Sequence, residues 1–282
     1  MFKRLINLFS PTKFFIGIKA KILFVLLCIV KIVIWPIKFI HYTYYLYILY
    51  FVLGHLLRDA KVKIDNKTFI LQNASDLFIL SAEKELESFI PEKGRVFIDV
   101  GAHIGKYSIL KAERFEKILA IEPESGNYFY LQQNIKLNNL ESKIKAINLA
   151  FYNKSGKKIT LTRGRYNLGG HTIITPQKHK ILYKDQIWVE TIKMDDLIKK
   201  ENISPKEIDF IKVDVEGAEA MVFEGGRDTL REGNPKILFE VWSYNQESMK
   251  NCRRILEGLG YQIKPITGDY YLAERSKSNI DN

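Results

Sequence analysis

Acids stand where apolar runs end: Asp99 in RVFIDVGAHIG (95–105), Asp214 in DFIKVDV (209–215), Glu240 in PKILFEVW (235–242), and Glu122 directly after the run 118–121. Buried parallel strands have no structural use for carboxylates at their carboxyl ends, which is where open α/β sheets bind ligands. Asp99 is followed at once by Gly101 and Gly105. A glycine bend lets the backbone approach a bound molecule, and a helix starting near Gly105 offers unpaired N–H groups to an anion. Asp99 then suits an ammonium group, directly or through water, and the bend suits the carboxylate beside it. Glu122, twenty-one residues after Gly101, stands at the tip of the neighbouring strand to accept both hydroxyls of a ribose. An amino acid joined to a nucleoside is S-adenosylmethionine. A dinucleotide fits less well, because its turn wants G-x-G-x-x-G and position 103 is His.

The elements that must hold these residues can be read from periodicity. Residues 61–71 alternate around Asp65 and Asn66 as a hairpin, and 76–89 carry Leu77, Leu80, Leu86 and Phe89 at helical intervals up to Pro91. These pieces predict a lid or platform before the core. After Gly105 the pattern predicts a helix to about 115, a strand at 118–121, a helix through Tyr128, Leu131 and Ile135, and a strand at 144–149. Such β-α-β-α-β order with short connections gives a parallel sheet with helices on both faces. The adenine is expected beyond the third strand, near Asn148, Ala150 and Phe151. Strands at 157–162 and 188–193 bracket a long basic loop in which Arg163, Arg165, His171, Lys178, His179 and Lys180 could meet an anionic or sugar-like substrate. Alternation resumes with strand 209–215, a helix to about 231, strand 235–242, a helix at 246–259 and strands around Tyr261 and Tyr270. Residues from 274 read as a tail.

Charge divides the chain. Its net +11 is concentrated in residues 1–58, which hold eight Lys and Arg and no acid, leaving about +3 for the rest. A broad nucleic-acid surface is therefore not expected. The other residues of that segment are strongly apolar, and its run 39–57 has nineteen uncharged residues, a helix of roughly 28 Å against a hydrocarbon layer of about 30 Å. Its tyrosines suit the interfacial zone, so it reads as a membrane-associating helix that either spans the bilayer or lies on it. The cofactor is made in the cytosol, so the remainder is expected to face the cytoplasm. Cys28 and Cys252 lie too far apart for a disulfide framework or a metal-ligand spacing, as befits a reducing compartment. The expected organisation is 1–58 membrane segment, 59–94 hairpin and helix, 95–273 cofactor-binding domain, and 274–282 tail.

The segments VFIDVGAHIGKYS (96–108), IEPESGNYFYLQQNIKLNN (121–139), NLAFYNKSG (148–156), IDFIKVDVEGAEAMVFEGG (208–226) and PKILFEVW resemble the FkbM-type methyltransferases over roughly residues 60–273. The resemblance implies a Rossmann-like class I methyltransferase fold, with a seven-stranded sheet whose last strand is antiparallel. It also implies O-methylation of hydroxyls on sugars, polyketides or other small metabolites. Carried over by motif, the cofactor contacts are Asp99, Gly101, Ala102, Gly105, Glu122 and the Ala150 region, with Tyr107 and Pro123 beside them. His103 stands where the family commonly has Asn and is taken as a neighbour of the methionine group. Glu219, His171 and Trp242 are the expected acceptor contacts.

Transfer of a methyl group from a sulfonium needs alignment more than covalent machinery. A sugar hydroxyl is a poor nucleophile, so a carboxylate that takes its proton helps, and Asp214, Glu216 and Glu240 are the candidates, the first two ahead of Glu240 because they sit at the strand nearest the expected methyl group. No metal is expected, since no histidine spacing accompanies the acids. The expected partners are a hydroxylated glycan, lipid-linked sugar or small metabolite and a membrane surface. Rival readings are an NAD-dependent oxidoreductase and a non-catalytic membrane adaptor that keeps a methyltransferase fold.

Overall fold

The computed structural model describes residues 57–164, 172 and 183–275. The expected membrane segment falls almost wholly on residues 1–56, outside the described residues, as do the expected tail beyond 275 and most of the long basic loop. Among the described residues no helix is long and apolar enough to cross a membrane. This corrects the expectation of a membrane-associated protein with its catalytic domain turned to the cytoplasm.

An antiparallel hairpin of β1 (Lys61–Ile64) and β2 (Lys67–Ile70) turns at Asp65, whose φ is 51°. Helix α1 (Ala74–Ser81) follows. The helix expected over 76–89 is broken after it. Glu83 takes a left-handed conformation (φ 61°), and residues 84–89 continue as a tighter 3₁₀ turn. The break turns the Glu83 carboxylate inward, where it accepts hydrogen bonds from three side chains described below.

The core then opens with β3 (Gly94–Val100), a five-residue helix α2 (Lys106–Leu110), β4 (Phe115–Ile121), α3 (Ser125–Leu137) and β5 (Ile144–Ile147). Strands β6 (Ala150–Phe151), β7 (Lys158–Gly164) and β8 (Tyr183–Ile192) form a separate three-stranded sheet in the order β6-β8-β7. The third strand, expected at 144–149, ends at Ile147, and Ala150 and Phe151 beyond it pair with Thr191 and Ile192 in the separate sheet. Helix α4 (Met194–Lys200) leads to β9 (Ile208–Val213). Helices α5 (Glu219–Glu224) and α6 (Arg227–Gly233) replace the single helix expected there. The break lies at Gly225, where a Cβ would stand 2.1 Å from the Tyr152 carbonyl oxygen. Strand β10 (Lys236–Glu240), α7 (Gln246–Gly258), β11 (Gln262–Thr267) and β12 (Tyr270–Glu274) complete the chain.

The main sheet has the order β11-β12-β10-β9-β3-β4-β5, and only β12 runs antiparallel to its neighbours. Alternation along each strand sorts side chains to two layers. Phe97, Ile118, Phe210 and Leu238 face the hairpin and α3, while Ile98, Leu119, Ile211 and Phe239 face α4 to α7. Phe97 lies 5.2 Å from both Phe115 and Phe210, ring centre to ring centre. Each such ring, fully buried, contributes about 2–3 kcal/mol.

Side-chain amides attach the hairpin to this frame. Asn134 on α3 and Asn138, one turn on at its C-terminal cap, accept from the Ile70 and Thr68 N–H groups and donate to the carbonyls of the same residues, at 2.6–3.3 Å. Asn134 also donates to the Ile104 carbonyl at 3.0 Å. One buried amide thus joins the hairpin to the loop after β3.

Candidate active site

Chain order reverses between β3 and β9: β4 and β5 extend the sheet one way and β10 the other. Crevices open at such switch points, beyond the carboxyl ends of the strands. Here the crevice is bounded by Gly101 after β3 and Asp214 after β9, tied by Asp214 N–H to the Val100 carbonyl at 3.0 Å. It holds a cavity of about 560 Å3, open mouth included, lined among others by Gly101, His103, Glu122, Pro123, Ala150, Phe151, Leu161 and Asp214.

The glycine has a different reason from the expected one. A Cβ on Gly101 would lie 1.9 Å from the Asp214 carbonyl oxygen, and its φ is +83°. Glycine is required because two strand ends touch there, which makes the crevice floor, and not primarily because a ligand approaches. Gly105 lies away from the cavity, where a Cβ would meet Ile109 and Leu131 at 2.8 Å. Ala102 is buried beside it.

Asp99 is also turned away. It is 1% exposed, and its Oδ2 accepts from the Ser108 N–H (3.0 Å) and hydroxyl (2.6 Å), while Oδ1 is buried without a hydrogen-bond partner. The acid caps the short helix α2 from within and so holds the loop. Two expectations change together: Asp99 does not reach the cavity as an ammonium acceptor, and the helix N-terminus offered to an anion is partly occupied by the chain's own carboxylate.

Glu122 does border the cavity. Its Oε2 accepts from the His103 N–H at 2.8 Å and its Oε1 from the Glu124 N–H at 2.9 Å, and burial pushes its carboxyl up to about 7. Oε1 also accepts from the Asn127 side-chain amide at 3.5 Å, so it is Oε2 that retains a second lone pair for a ligand hydroxyl. The bond to Glu122 also holds His103 in a left-handed conformation, φ 53°, which a non-glycine residue adopts only under such restraint. Asn148 stands behind this wall, donating to the carbonyls of Glu122 (2.8 Å) and Pro123 (3.0 Å).

The three acids proposed for catalysis come together. Oxygens of Asp214, Glu216 and Glu240 lie within 4.8 Å of one another. Burial first, and then Asp214's charge, push Glu240 up to about 9 and raise Glu216 well above the usual carboxylate range. Glu216 is held at φ 57°, and its carbonyl accepts from the Thr172 hydroxyl at 2.6 Å. Thr172 itself pairs through its backbone with Thr162 of β7, so the separate sheet is pinned to this corner.

Among the described residues, Asp214 is the one acid of the three with a cation against it: Lys212 Nζ at 2.8 Å, on a side chain 2% exposed as a residue. Burial opposes charge on Lys212, but Asp214, Asp99 and Glu83 together raise it above the ordinary lysine value. Its Nζ lies 4.7 Å from the centre of the Tyr107 ring, and Lys106 Nζ lies 4.8 Å from it. Glu83 closes the network, accepting from Lys106 (2.8 Å), the Tyr107 hydroxyl (2.9 Å) and the Tyr270 hydroxyl (2.6 Å). Burial opposes its charge too, but Lys106 and Lys212 hold its carboxyl down at about 2. Tyr107 is therefore a prop between two lysines and not a wall of the cavity.

The remaining expected contacts divide. Glu219 is 1% exposed and accepts from the Gly217 N–H (2.7 Å) and the Ser248 hydroxyl (3.0 Å), so it braces the turn after Glu216. Trp242 is half-buried at the rim after Glu240, its ring 5.1 Å from exposed Tyr244. His171 lies outside the described residues. Lys212, Glu83, Lys106 and Asp76 were not singled out by sequence reasoning, although a lysine inside the apolar strand FIKV was a legible signal.

A family model described as the methyltransferase FkbM domain matches residues 99–263. Methyltransferase sdnD of Sordaria araneosa is 28% identical over 193 residues, which cover 59% of this chain and 73% of that protein. Among solved structures, methyltransferase FkbM from Methylobacillus flagellatus is 20% identical with a TM-score of 0.45; the match covers 66% of this chain but only 44% of that one. The O-methyltransferase from Bacillus cereus in complex with SAH is 14% identical with a TM-score of 0.42, covering 72% of this chain and 87% of that one. The family match spans more than half of the sequence, from the acid that ends β3 into β11, and the chain belongs to the FkbM-type methyltransferases.

Proposed function

We propose that this chain is an S-adenosylmethionine-dependent O-methyltransferase whose acceptor is a hydroxyl of a sugar, glycan or other small metabolite. One observation carries the reading: Asp214 lines the cavity and belongs to the acid cluster, so a donor in the first and an acceptor at the second would meet at one residue. The donor set of the cavity fits the cofactor. Ile121, Ala150, Phe151 and Leu161 offer an apolar slot for an adenine, Glu122 an acceptor for ribose hydroxyls, and His103 and Asp214 polar groups for the amino-acid end.

When bound, S-adenosylmethionine supplies a methyl group whose bond to sulfur breaks as its bond to the acceptor oxygen forms. The chain's part is alignment and the proton. Glu240, pushed up to about 9, holds its own proton at neutral pH and hydrogen-bonds to Asp214, which therefore receives the acceptor's hydroxyl proton. Lys212 offsets the charge that Asp214 carries until then. Trp242 offers a flat apolar face at the rim on which a sugar ring can stack.

Calorimetric titration with S-adenosylmethionine tests the first half. Binding by the wild type that weakens in Glu122→Gln supports it; no heat of binding would overturn it. Mass spectrometry of extracts incubated with the protein and a methyl-labelled cofactor tests the second half. Label on a hydroxyl oxygen is expected, and label confined to nitrogen or carbon would refute O-methylation.

A further inference from the structure

A second hollow lies beside the end of β10 and shares no lining residue with the cavity already described. It encloses about 820 Å3, open mouth included. One wall is a face of α7, where Gln246, Met249, Lys250 and Arg253 recur at the spacing that stacks side chains on one side of a helix. The other wall is aromatic, made by Trp242 after β10 and Tyr271 on β12. Among the described residues no acid lines the hollow, so its lining carries two positive charges and no negative one. Arg253 spends one nitrogen of its fork on Glu257, at 2.9 Å, and Lys250 has no ion-pair partner among the described residues. A merely solvated helix face does not come with a fixed indole beside its cations. Here the backbone around Trp242 is fixed: the Val241 N–H donates to the Asp269 carbonyl (2.9 Å), the Ser243 N–H to the Asp269 carboxylate (2.9 Å), and the Asn245 N–H to the Trp242 carbonyl (2.7 Å).

Trp242 stands two residues after Glu240, at most about 7 Å along the chain, a span that one sugar ring bridges. The two ends of that span have opposite charge. Oxygens of Asp214, Glu216 and Glu240 crowd within 4.8 Å at one, and Lys250 and Arg253 line the other. An acceptor with an oxyanion on one side of its ring is repelled by the first and held by the second, so that its hydroxyl side is the one that reaches Asp214. We propose that the acceptor is an acidic sugar, carrying a phosphate or a carboxylate, with its ring on Trp242 and its oxyanion on Lys250 and Arg253. This rests on the reading of the acid cluster as the place of methyl transfer, and it narrows the substrate from hydroxylated metabolites at large. The hydroxyl methylated is then one turned away from the oxyanion.

The test measures binding of glucose 6-phosphate, glucuronate and glucose to the full chain by the fluorescence of Trp242, with Trp35→Phe and Trp188→Phe removing the other two tryptophans. Both charged probes are expected to bind about fivefold more tightly than glucose or better, and the tighter of the two names the oxyanion. Lys250→Gln and Arg253→Gln should each weaken the charged probes by up to about fivefold, the upper scale of an exposed ion pair, and leave glucose unchanged. Arg254→Gln, on the same helix but outside the hollow, should alter none of them. Equal binding of all three probes, binding of none, or an Arg254→Gln effect as large as that of Arg253→Gln would overturn the proposal. Calorimetry with S-adenosylmethionine on the same proteins separates the two readings. Cofactor binding without a preference for charged sugars refutes this proposal alone. A preference for charged sugars without cofactor binding refutes methyl transfer, and the acceptor role of the hollow falls with it.

Discussion

Replacing Glu240 by Gln removes a proton that the folded chain holds and the unfolded chain does not. Burial and the neighbouring Asp214 raise this carboxyl from 4.5 to about 9. Between those values the unfolded state has released the proton and the folded state has kept it. Stability is therefore fully present below pH 4.5 and is lost as pH rises toward 9, at up to about 1.4 kcal/mol per pH unit. From pH 4.5 to pH 8 that accumulates to about 5 kcal/mol. Solvent at the half-buried rim screens roughly half, leaving about 2 kcal/mol. Gln keeps the shape and cannot ionise, so Glu240→Gln should match the wild type at pH 5 and exceed it at pH 8. In a chain of this size the difference is about 4–8 °C in Tm. Thermal melts of both proteins in the same buffers from pH 5 to pH 9 measure it. A difference that stays flat across this range would refute the account of a protonated Glu240, and with it the assignment of the proton to Asp214.

Three further outcomes are expected. Lys212→Met leaves three crowded carboxylates without their cation and should cost about 3–5 kcal/mol in urea unfolding, with methyl transfer lost in whatever remains folded. Gly101→Ala should yield little folded protein, because the new methyl group meets the Asp214 carbonyl oxygen; Gly156→Ala, at φ +68° with no atom within 4 Å, should cost only about 1–2 kcal/mol of backbone strain. Methyl transfer should survive EDTA, since Lys212 and the retained protons already relieve the repulsion in the acid cluster; loss of activity restored by magnesium would assign a cation to it.

Much of the frame was written in periodicity. The runs 96–98, 118–121 and, but for Lys212, 210–213 are apolar on both faces because both faces are covered, and the acids that follow them stood out for that reason. The gathering of Asp214, Glu216 and Glu240 followed from their place at adjacent strand ends. What the acids would touch was less legible. Asp99 lies one residue from a cavity wall, yet it points to Ser108, and only coordinates show that choice. Glu219 likewise reads as a site acid by motif but spends both oxygens on its own turn. The breaks at Glu83 and Gly225 depend on partners far along the chain, Tyr270 and Tyr152, and no local pattern announces them. The apolar first segment argued for a membrane on composition alone, and the described residues lend that no helix of the necessary length.

The amides of Asn134 and Asn138 have a consequence for how this molecule behaves in a crowd. A two-stranded ribbon with a bare outer border is a template on which a foreign chain can add itself, row by row, toward fibre growth. Here that border is spoken for, since the donors and acceptors of Thr68 and Ile70 already belong to a helix of the same chain. The β2 border of the ribbon is closed to recruitment by two side chains that imitate a neighbouring strand.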